Sequence, residues 1–533
     1  MMKKLFIALL AAGSMVFTQC TKPTDGFTIS INPDVFDNVV AVKFYDAATP
    51  GVAPANIKLT ITGDNAQSIY EISGYKQFNV VDGVISLGLL PKAAPTEGRP
   101  AVFVLNAEAE GYLPVRVPVT ILQGHITKLI TISMVNLNDP PPGVTVVQKE
   151  TALTGSAIAA VESIATPTGS GSNVSTTVEL PTGTTFRDEA GNQINGATLK
   201  TTVVHFNTKE AASLNAFPGN GFHSDDVTDE NGNKVSGIFR TAGFSNIDMT
   251  LNGTDVRTFN QPVNLKIGIS SDQINPKTGA PFAAGDQIPV WSFQIETGKW
   301  AFEKQGTVTN NGGNLEVAFT TNHLTYYNLA FLDNVCAEAK ASFVTNLPSA
   351  ESFLVDIYPE GETAIPAIAG YIMQVENNGV ASFENVPQGN VTMKVYRNTA
   401  TNSQTNWKVR DAQPLATYTG VLCGNQPSIV LNIPSVTPIL FDIEGKCPSN
   451  ASNPFVRPSV DVWYRMKGNG EFQLLGHVNQ GKFQTTNIDY QSAYDFKVIW
   501  GASKIYLRTK FIDSTSYTRT ITVPENEQQN FCQ

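Results

Sequence analysis

Ile57-Lys58-Leu59-Thr60-Ile61-Thr62, closed by Gly63-Asp64-Asn65, alternates apolar and polar residues and then stops on turn formers. A period of two with β-branched residues is the pattern of a strand with one face in a core and the other in water. Phe27-Thr28-Ile29-Ser30-Ile31 reads the same way, as do the short runs Val84-Ile85-Ser86-Leu87 after Asp82-Gly83 and Val102-Phe103-Val104-Leu105. Strands this short, punctuated by Gly, Asp, Asn and Pro, predict a β-sandwich over residues 27–137.

Composition extends that reading to the whole chain. With 533 residues, 41% apolar and only 15% charged, the sequence has the balance of an all-β protein with uncharged polar faces and many turns. Its length suggests about three to four domains. A net charge of −10 disfavours nucleic acid as a partner and leaves no basic patch for phosphates.

Outward from the first module, Asp139-Pro140-Pro141-Pro142-Gly143 reads as a stiff linker, because consecutive prolines cannot donate to a sheet ladder. With the loose stretch at 166–173 it defines a linker over 138–173. Within it, Ala157-Ile158-Ala159-Ala160-Val161 suits a short helix or a strand. Residues 174–334 form a second module. It opens on Val174-Ser175-Thr176-Thr177-Val178-Glu179-Leu180-Pro181-Thr182-Gly183-Thr184-Thr185-Phe186 and passes a Phe217-Pro218-Gly219 turn. It ends with Ile288-Pro289-Val290-Trp291-Ser292-Phe293, Glu296-Thr297-Gly298-Lys299-Trp300 and His323-Leu324-Thr325-Tyr326-Tyr327-Asn328-Leu329. The Glu296–Lys299 stretch is a hairpin turn. Its two flanking tryptophans, Trp291 and Trp300, read as members of a shared core rather than as a sugar platform.

Residues 335–434 and 435–533 read as a degenerate repeat. Leu354-Val355-Asp356-Ile357-Tyr358 is echoed by Val460-Asp461-Val462-Trp463-Tyr464. Asn378-Gly379-Val380-Ala381-Ser382-Phe383 is echoed by Gln480-Gly481-Lys482-Phe483-Gln484. Each copy continues into a long paired strand, at a spacing of roughly 100 residues, the size of one immunoglobulin-like sandwich.

Two stretches carry resemblances. Ala107-Glu108-Ala109-Glu110-Gly111-Tyr112-Leu113-Pro114 resembles the Gly-Tyr corner of carboxypeptidase-regulatory-like and prealbumin-type sandwiches. The order of turns and tryptophans in 174–334 resembles a β module of cartilage intermediate layer proteins. Both resemblances imply non-catalytic surface or matrix sandwiches.

The N-terminus decides the compartment. Lys3 and Lys4 precede the apolar run Leu5-Phe6-Ile7-Ala8-Leu9-Leu10-Ala11-Ala12, and Cys20 follows Phe17-Thr18-Gln19. The run is the length of a secretory signal and too short to span a bilayer. A cysteine directly after it resembles a bacterial lipoprotein signal of the Bacteroidetes type, although Gln19 is larger than the usual small residue there. The resemblance implies a signal peptide over 1–19, acylation of Cys20, and a tether over 20–26 about 20 Å long at most. It places the chain on the outer membrane, held by lipid, on either the cell surface or the periplasmic face. The other reading is an ordinary secretory signal with Cys20 as an odd thiol.

Five cysteines fit the lipoprotein reading, because lipidating Cys20 leaves four that can pair in an oxidising compartment. Cys336–Cys423 and Cys447–Cys532 would close loops of nearly equal length within the third and fourth modules. In the loop-entropy picture each closure is worth about 4 to 5 kcal/mol. The rival is a linker staple, Cys423–Cys447.

The sequence carries none of the common catalytic motifs. The five histidines, His125, His205, His223, His323 and His477, form no His-Glu-x-x-His or close His-x-His pattern. No Gly-x-Ser-x-Gly elbow, Walker loop or dinucleotide fingerprint occurs, and no cofactor is implied. The loop His223-Ser224-Asp225-Asp226-Val227-Thr228-Asp229-Glu230-Asn231-Gly232-Asn233 gathers oxygen ligands, so Asp225, Asp226, Asp229 and Asn231 are a calcium candidate. It lacks the EF-hand spacing, and a solvated turn explains it as well. Trp407, after the polar run Thr401-Asn402-Ser403-Gln404-Thr405-Asn406, is either a contact for sugar or protein or a cover for its own module's edge.

The expectation is therefore a chain of tandem immunoglobulin-like and prealbumin-like β-sandwiches behind a lipoprotein signal peptide. It would serve as a structural or adhesive scaffold extending away from the membrane, with a protein or glycan partner. The alternatives are a carbohydrate-binding accessory of an uptake system and a glycan hydrolase with carboxylates in residues 174–334.

Overall fold

The computed structural model describes residues 36–533 apart from 125–126, 170–172, 218–222, 295–297, 348, 361–365, 408–409, 411–412, 435, 451–454, 501–503, 524, 526–531 and 533. The residues read as a signal peptide, Cys20, and the strand read at 27–31 lie outside the described residues. Within them the chain is all-β. Among the described residues the one α-helix is the single turn Ala211–Asn215, and no helix there is long and apolar enough to cross a membrane.

Three modules share one plan. In the first, Asn38–Asp46 pairs antiparallel with Val84–Leu89 and parallel with Thr127–Met134, while Lys58–Thr62, Ala101–Glu108 and Val115–Ile121 form the facing sheet. The third module repeats this arrangement. Its first strand pairs antiparallel with Gly379–Pro387 and parallel with Ser428–Val430, opposite a sheet ordered Ile368–Val375, Glu351–Pro359, Asn390–Arg397, Ala416–Val421. In the fourth, Ile439–Lys446 takes the same place between Lys482–Thr485 and the parallel Ser516–Thr522. The repeat visible in the last two modules thus includes the first as well. The Gly-Tyr corner closes the first module: Gly111 turns at φ +79°, and the Tyr112 hydroxyl donates to Asp46 Oδ2 at 2.8 Å.

The second module is a larger sandwich, and its limits differ from the sequence reading. The proline run does end a linker, but 144–165 belongs to the module. Val144–Ala152 pairs along its whole length with Thr198–Phe206, and Glu162–Ala165 pairs with Thr176–Leu180. Val144 and Val146 pack on one apolar cluster and Val147 on the other, so both faces at the start of this stretch are covered, which explains why it joins a sheet. Residues 157–161 are neither helix nor strand; a bridge and bends there place Ile158 in the main core. Trp291 and Trp300 share one core with Phe239, at ring distances of 5.3 and 5.4 Å, and the Trp291 indole donates to Ala330 O at 2.8 Å.

Residues 334 and 335, read as a boundary, lie in the middle of one strand. Tyr326–Val344 runs unbroken for 19 residues. Its first half pairs with Lys234–Leu251 of the second module, and its second half is the first strand of the third.

The modules also do not extend in series. All nine residues of Asn38–Asp46 are buried. Val40, Val42 and Phe44 face the first module's own core, while Ala41 packs with Val84 against Leu354, Ile372 and Tyr396 of the third module and Trp463 and Leu474 of the fourth. Lys43 Nζ meets Glu471 at 2.8 Å, Lys497 Nζ meets Asp82 at 2.8 Å, and Ser86 donates to Asp461 at 2.5 Å. The first module is thus seated on the third and fourth, and the expected extended string is replaced by a folded-back arrangement.

The third and fourth modules are clamped by one carboxylate. Buried Glu351 accepts from the Thr485 hydroxyl at 3.1 Å, the Thr486 hydroxyl at 2.9 Å and the Asn487 amide at 2.9 Å, and from the Thr486 backbone N–H. Burial pushes its carboxyl above the usual range, against the pull of these donors. In the second module His205 is fully buried, with Nδ1 2.9 Å from the Thr176 hydroxyl, and burial lowers its imidazole to about 4.

Two predictions follow from these buried groups. Glu351→Ala, which strands several buried donors, is expected to lower unfolding free energy by about 3 kcal/mol in urea titrations, and Glu351→Gln by less. A Glu351→Ala chain as stable as the parent would remove the clamp. His205 stays neutral in the fold while the unfolded chain takes up its proton near 6.5, so stability falls as pH drops from about 6.5 to 4. The full effect is on the order of 3 kcal/mol. His205→Gln should flatten the stability profile over that window, and an unchanged slope would contradict the assignment.

Candidate functional site

The ledge that carries Trp407 is a loop tied to the third module through Arg410. Arg410 pairs in two-pronged fashion with Asp356, Nε to Oδ2 at 3.1 Å and Nη2 to Oδ1 at 3.2 Å. Both side chains are buried, at 4% and 0% exposure, so the charges satisfy each other away from water. Arg410 Nη1 also donates to Asn406 O at 3.0 Å, which ties the backbone beside Trp407 to the pair. Asp356 Oδ1 further accepts from Gly370 N at 2.7 Å. Gly370 has φ +62°, and a Cβ there would lie 2.1 Å from Gln404 O, so the position admits no side chain.

The polar run before Trp407 is not a solvated loop. Asn402 is fully buried, and Gln404 is nearly so. Gln404 Nε2 donates to Asn398 Oδ1 at 2.7 Å and to Leu474 O at 2.8 Å, while its Oε1 accepts from Leu474 N at 2.9 Å. The run is polar because its side chains replace backbone partners in the joint between the third and fourth modules.

Trp407 itself is half-buried. It lines a cavity of about 140 Å³ where the first module, the helix Ala211–Asn215 and the third module meet, together with Tyr371, Lys128, Glu384 and Thr405. Lys128 and Glu384 form an ion pair between the first and third modules, and Lys128 Nζ also donates to Thr120 O at 2.7 Å. Tyr371 donates to Ser382 O at 2.9 Å, and burial raises its phenol. Tyr45, from the outer face of Asn38–Asp46, completes the wall; burial pushes its phenol up to about 12. A second, more apolar cavity of about 410 Å³ shares Leu214, Pro366 and Ala367 with the first and is lined by Phe239, Ile274 and Phe282.

The acidic loop lies elsewhere, and in it Asp229 caps its own turn. Asp225 and Asp226 belong to the strand His223–Thr228. Asp229 Oδ1 accepts from the Asn231 and Asn233 backbones, both at 2.8 Å, and its Oδ2 accepts from the Asn233 amide at 3.2 Å. Asp188 does the same with Asn192, at 2.8 and 3.2 Å. Both turns have the sequence Asp-Glu-x-Gly-Asn, with the glycine at φ +80° in one and +79° in the other. In both turns the aspartate caps its own loop. Among the described residues no group of three or more His, Cys, Asp or Glu is placed to hold a metal.

Two clusters pair a serine, a carboxylate and a histidine. Asp461 stands between Ser86 and His477, whose Nδ1 lies 2.8 Å away, and Glu303 stands between Ser292 and His323 at 2.5 and 3.3 Å. In both the hydroxyl addresses the carboxylate and not the imidazole, so neither holds a serine on its base. The four remaining cysteines form Cys336–Cys423 and Cys447–Cys532, with Cα separations of 5.8 and 5.5 Å.

No family model matches the chain, and no curated protein matches it in sequence. Among solved structures it is similar to a streptococcal ancillary pilin at 12% identity, covering 46% of this chain and 95% of that one, with a TM-score of 0.14. It is also similar to the Bacillus anthracis TIE protein at 11% identity over 71% of this chain and 57% of that one, and to BcpA, the major pilin subunit of Bacillus cereus, at 11% over 74% and 99%; both have a TM-score of 0.13. At such scores the chains do not superpose as wholes.

Arg410→Ala, which leaves Asp356 buried without its cation, is expected to cost about 3 kcal/mol in thermal or urea unfolding. Adding Asp356→Ala should cost less than the sum of the two single changes. Strict additivity would show that the pair does not hold the ledge.

Proposed function

We propose that this chain is a non-catalytic binding scaffold of the cell envelope, held to the outer membrane through lipid on Cys20 and contacting its protein or glycan ligand at the Trp407 cleft. The observation that carries the reading is the ledge itself. A half-buried tryptophan, at the meeting of three modules, is fixed by a buried ion pair and by amide contacts to a fourth module. A contact ordered in advance loses little freedom when a ligand arrives, which is the economy of a recognition site.

The envelope location is supported by the n-region, apolar core and cysteine of residues 1–20, and by two disulfides that suit an oxidising compartment. The resemblances of residues 1–20 to a Bacteroidetes-type lipoprotein signal and of 174–334 to a cartilage intermediate layer module are the sequence basis for a matrix or surface role. The folded-back modules favour a compact platform over a long stalk.

The test has two arms. In cells fed an alkyne fatty acid, the parent chain is expected to take up label and Cys20→Ala to take up none; a labelled variant sinks the anchor. Beads coated with the purified chain should be retained on at least one of a panel of protein- and glycan-coated surfaces, with about tenfold lower retention for Trp407→Ala. Retention on no surface, or retention indifferent to Trp407, would end the binding reading.

A further inference from the structure

One sheet of the fourth module ends on a free edge. Gln473–Val478, Val460–Met466, Ala493–Trp500 and Lys504–Phe511 pair in that order, and among the described residues Lys504–Phe511 has a ladder partner on one side only. Alternation along the strand decides which of its groups face outward. Ile512 N donates to Ser492 O and Gln491 N donates to Ile512 O, so the main chain of Ile512 addresses the neighbouring strand. Leu507, Thr509 and Phe511, at the odd positions before it, then turn their N–H and C=O groups to the open side. Ala493, the register partner of Phe511, agrees: its carbonyl accepts from Lys467 N on the far side of its strand.

Sheet edges are commonly kept short, bent or covered. This one carries large apolar side chains in the open. Leu507 is 60% exposed and Phe511 47%, and neither joins the module's core cluster. With a period of two both lie on one face, on either side of Thr509. Leu507 stands opposite Lys497, whose ammonium reaches Asp82 of the first module. The apolar patch thus borders the contact that seats the first module on the fourth.

The other face of the strand is basic. Arg508 is exposed and makes no ion pair or hydrogen bond among the described residues. Lys510 is answered by Asp513 at 3.5 Å and lies 4.6 Å from the centre of the Tyr517 ring. Residues 512–515 lead directly into Ser516–Thr522, an edge of the facing sheet, where Arg519 is exposed and likewise unpaired among the described residues. Two uncompensated guanidinium groups on a chain of net charge −10 select an acidic partner. A second copy laid edge to edge would set these cations against their own kind, which destabilises a strand pair.

We propose that Leu507–Phe511 is a docking edge, where an extended acidic segment of another protein adds as a further strand of the fourth module. The outward main-chain groups of Leu507, Thr509 and Phe511 would hold its backbone. Its apolar side chains would cover Leu507 and Phe511, and its carboxylates would meet Arg508 and Arg519. This surface shares no residue with the Trp407 cleft and does not depend on that reading.

The test uses the purified full chain in detergent and short fluorescein-labelled peptides that alternate valine with glutamate, beside counterparts that alternate valine with lysine. Anisotropy is expected to report binding of the glutamate peptide, weakening as salt rises, and none of the lysine peptide. Arg508→Glu, which breaks no contact, should keep the parent's melting temperature, weaken the glutamate peptide about tenfold and admit the lysine peptide. Hydrogen exchange gives the backbone readout. The amides of Leu507, Thr509 and Phe511 should exchange quickly in the free chain and about tenfold more slowly once the glutamate peptide is bound. Binding of neither peptide, equal binding of both, slow exchange at these amides before peptide is added, or no slowing afterwards would each overturn the proposal. Protection that grows with protein concentration alone would overturn it in favour of a second copy.

Discussion

The arrangement depends on the second face of one strand. In Asn38–Asp46 the even positions make an ordinary sandwich core, but Ala41, Lys43 and Tyr45 point the other way and are buried as well. Around them Leu354, Ile372, Tyr396, Trp463 and Leu474 from two later modules close a shared apolar cluster. Each large side chain fully buried there contributes roughly 1.5–3 kcal/mol. The ion pairs at its edge, Lys43–Glu471 and Lys497–Asp82, offset their own desolvation at best, so they set the register of the contact more than its strength. Apolar packing holds the modules together; charges decide how they sit.

That face also creates the cleft. Tyr45 and Lys128 reach it from the first module because the sheet they share is seated on the third. The ledge bearing Trp407 comes from the opposite side, fixed by Arg410 and Gln404. Separate the modules and the two walls part.

Much of the architecture was legible in the sequence. Strands such as Lys58–Thr62 alternate because one face meets water, and period two reports that directly. The echo of 354–358 in 460–464 reported a repeated module, and the spacing of the cysteines suggested the two disulfides. What was hidden has a common cause. A strand buried on both faces reads as a nearly continuous apolar run, so Asn38–Asp46 gave no hint of a partner outside its module. The stretch 144–165 was read with the prolines before it, although its Val144-Thr145-Val146 start already alternates. Tyr326–Val344 shows no break at 334 because a strand that changes partners keeps its period.

The site was legible only as a single tryptophan. Arg410 and Asp356 lie 54 residues apart, and no local spacing announces their pairing. The polar run 401–406 looked like solvent-facing loop because composition does not distinguish side chains that meet water from those that replace backbone partners inside a joint. The acidic loop was the opposite case: comparison of 188–192 with 229–233 would have shown a recurrent turn.

The unbroken strand Tyr326–Val344 has a mechanical meaning. A pull on the third module reaches the second along one covalent backbone, flanked on both sides of the joint by ladders nearly parallel to the load. Loaded along its length, such a ladder must break many hydrogen bonds together, whereas a flexible tether would simply straighten. Between these two modules the chain is a spar rather than a hinge.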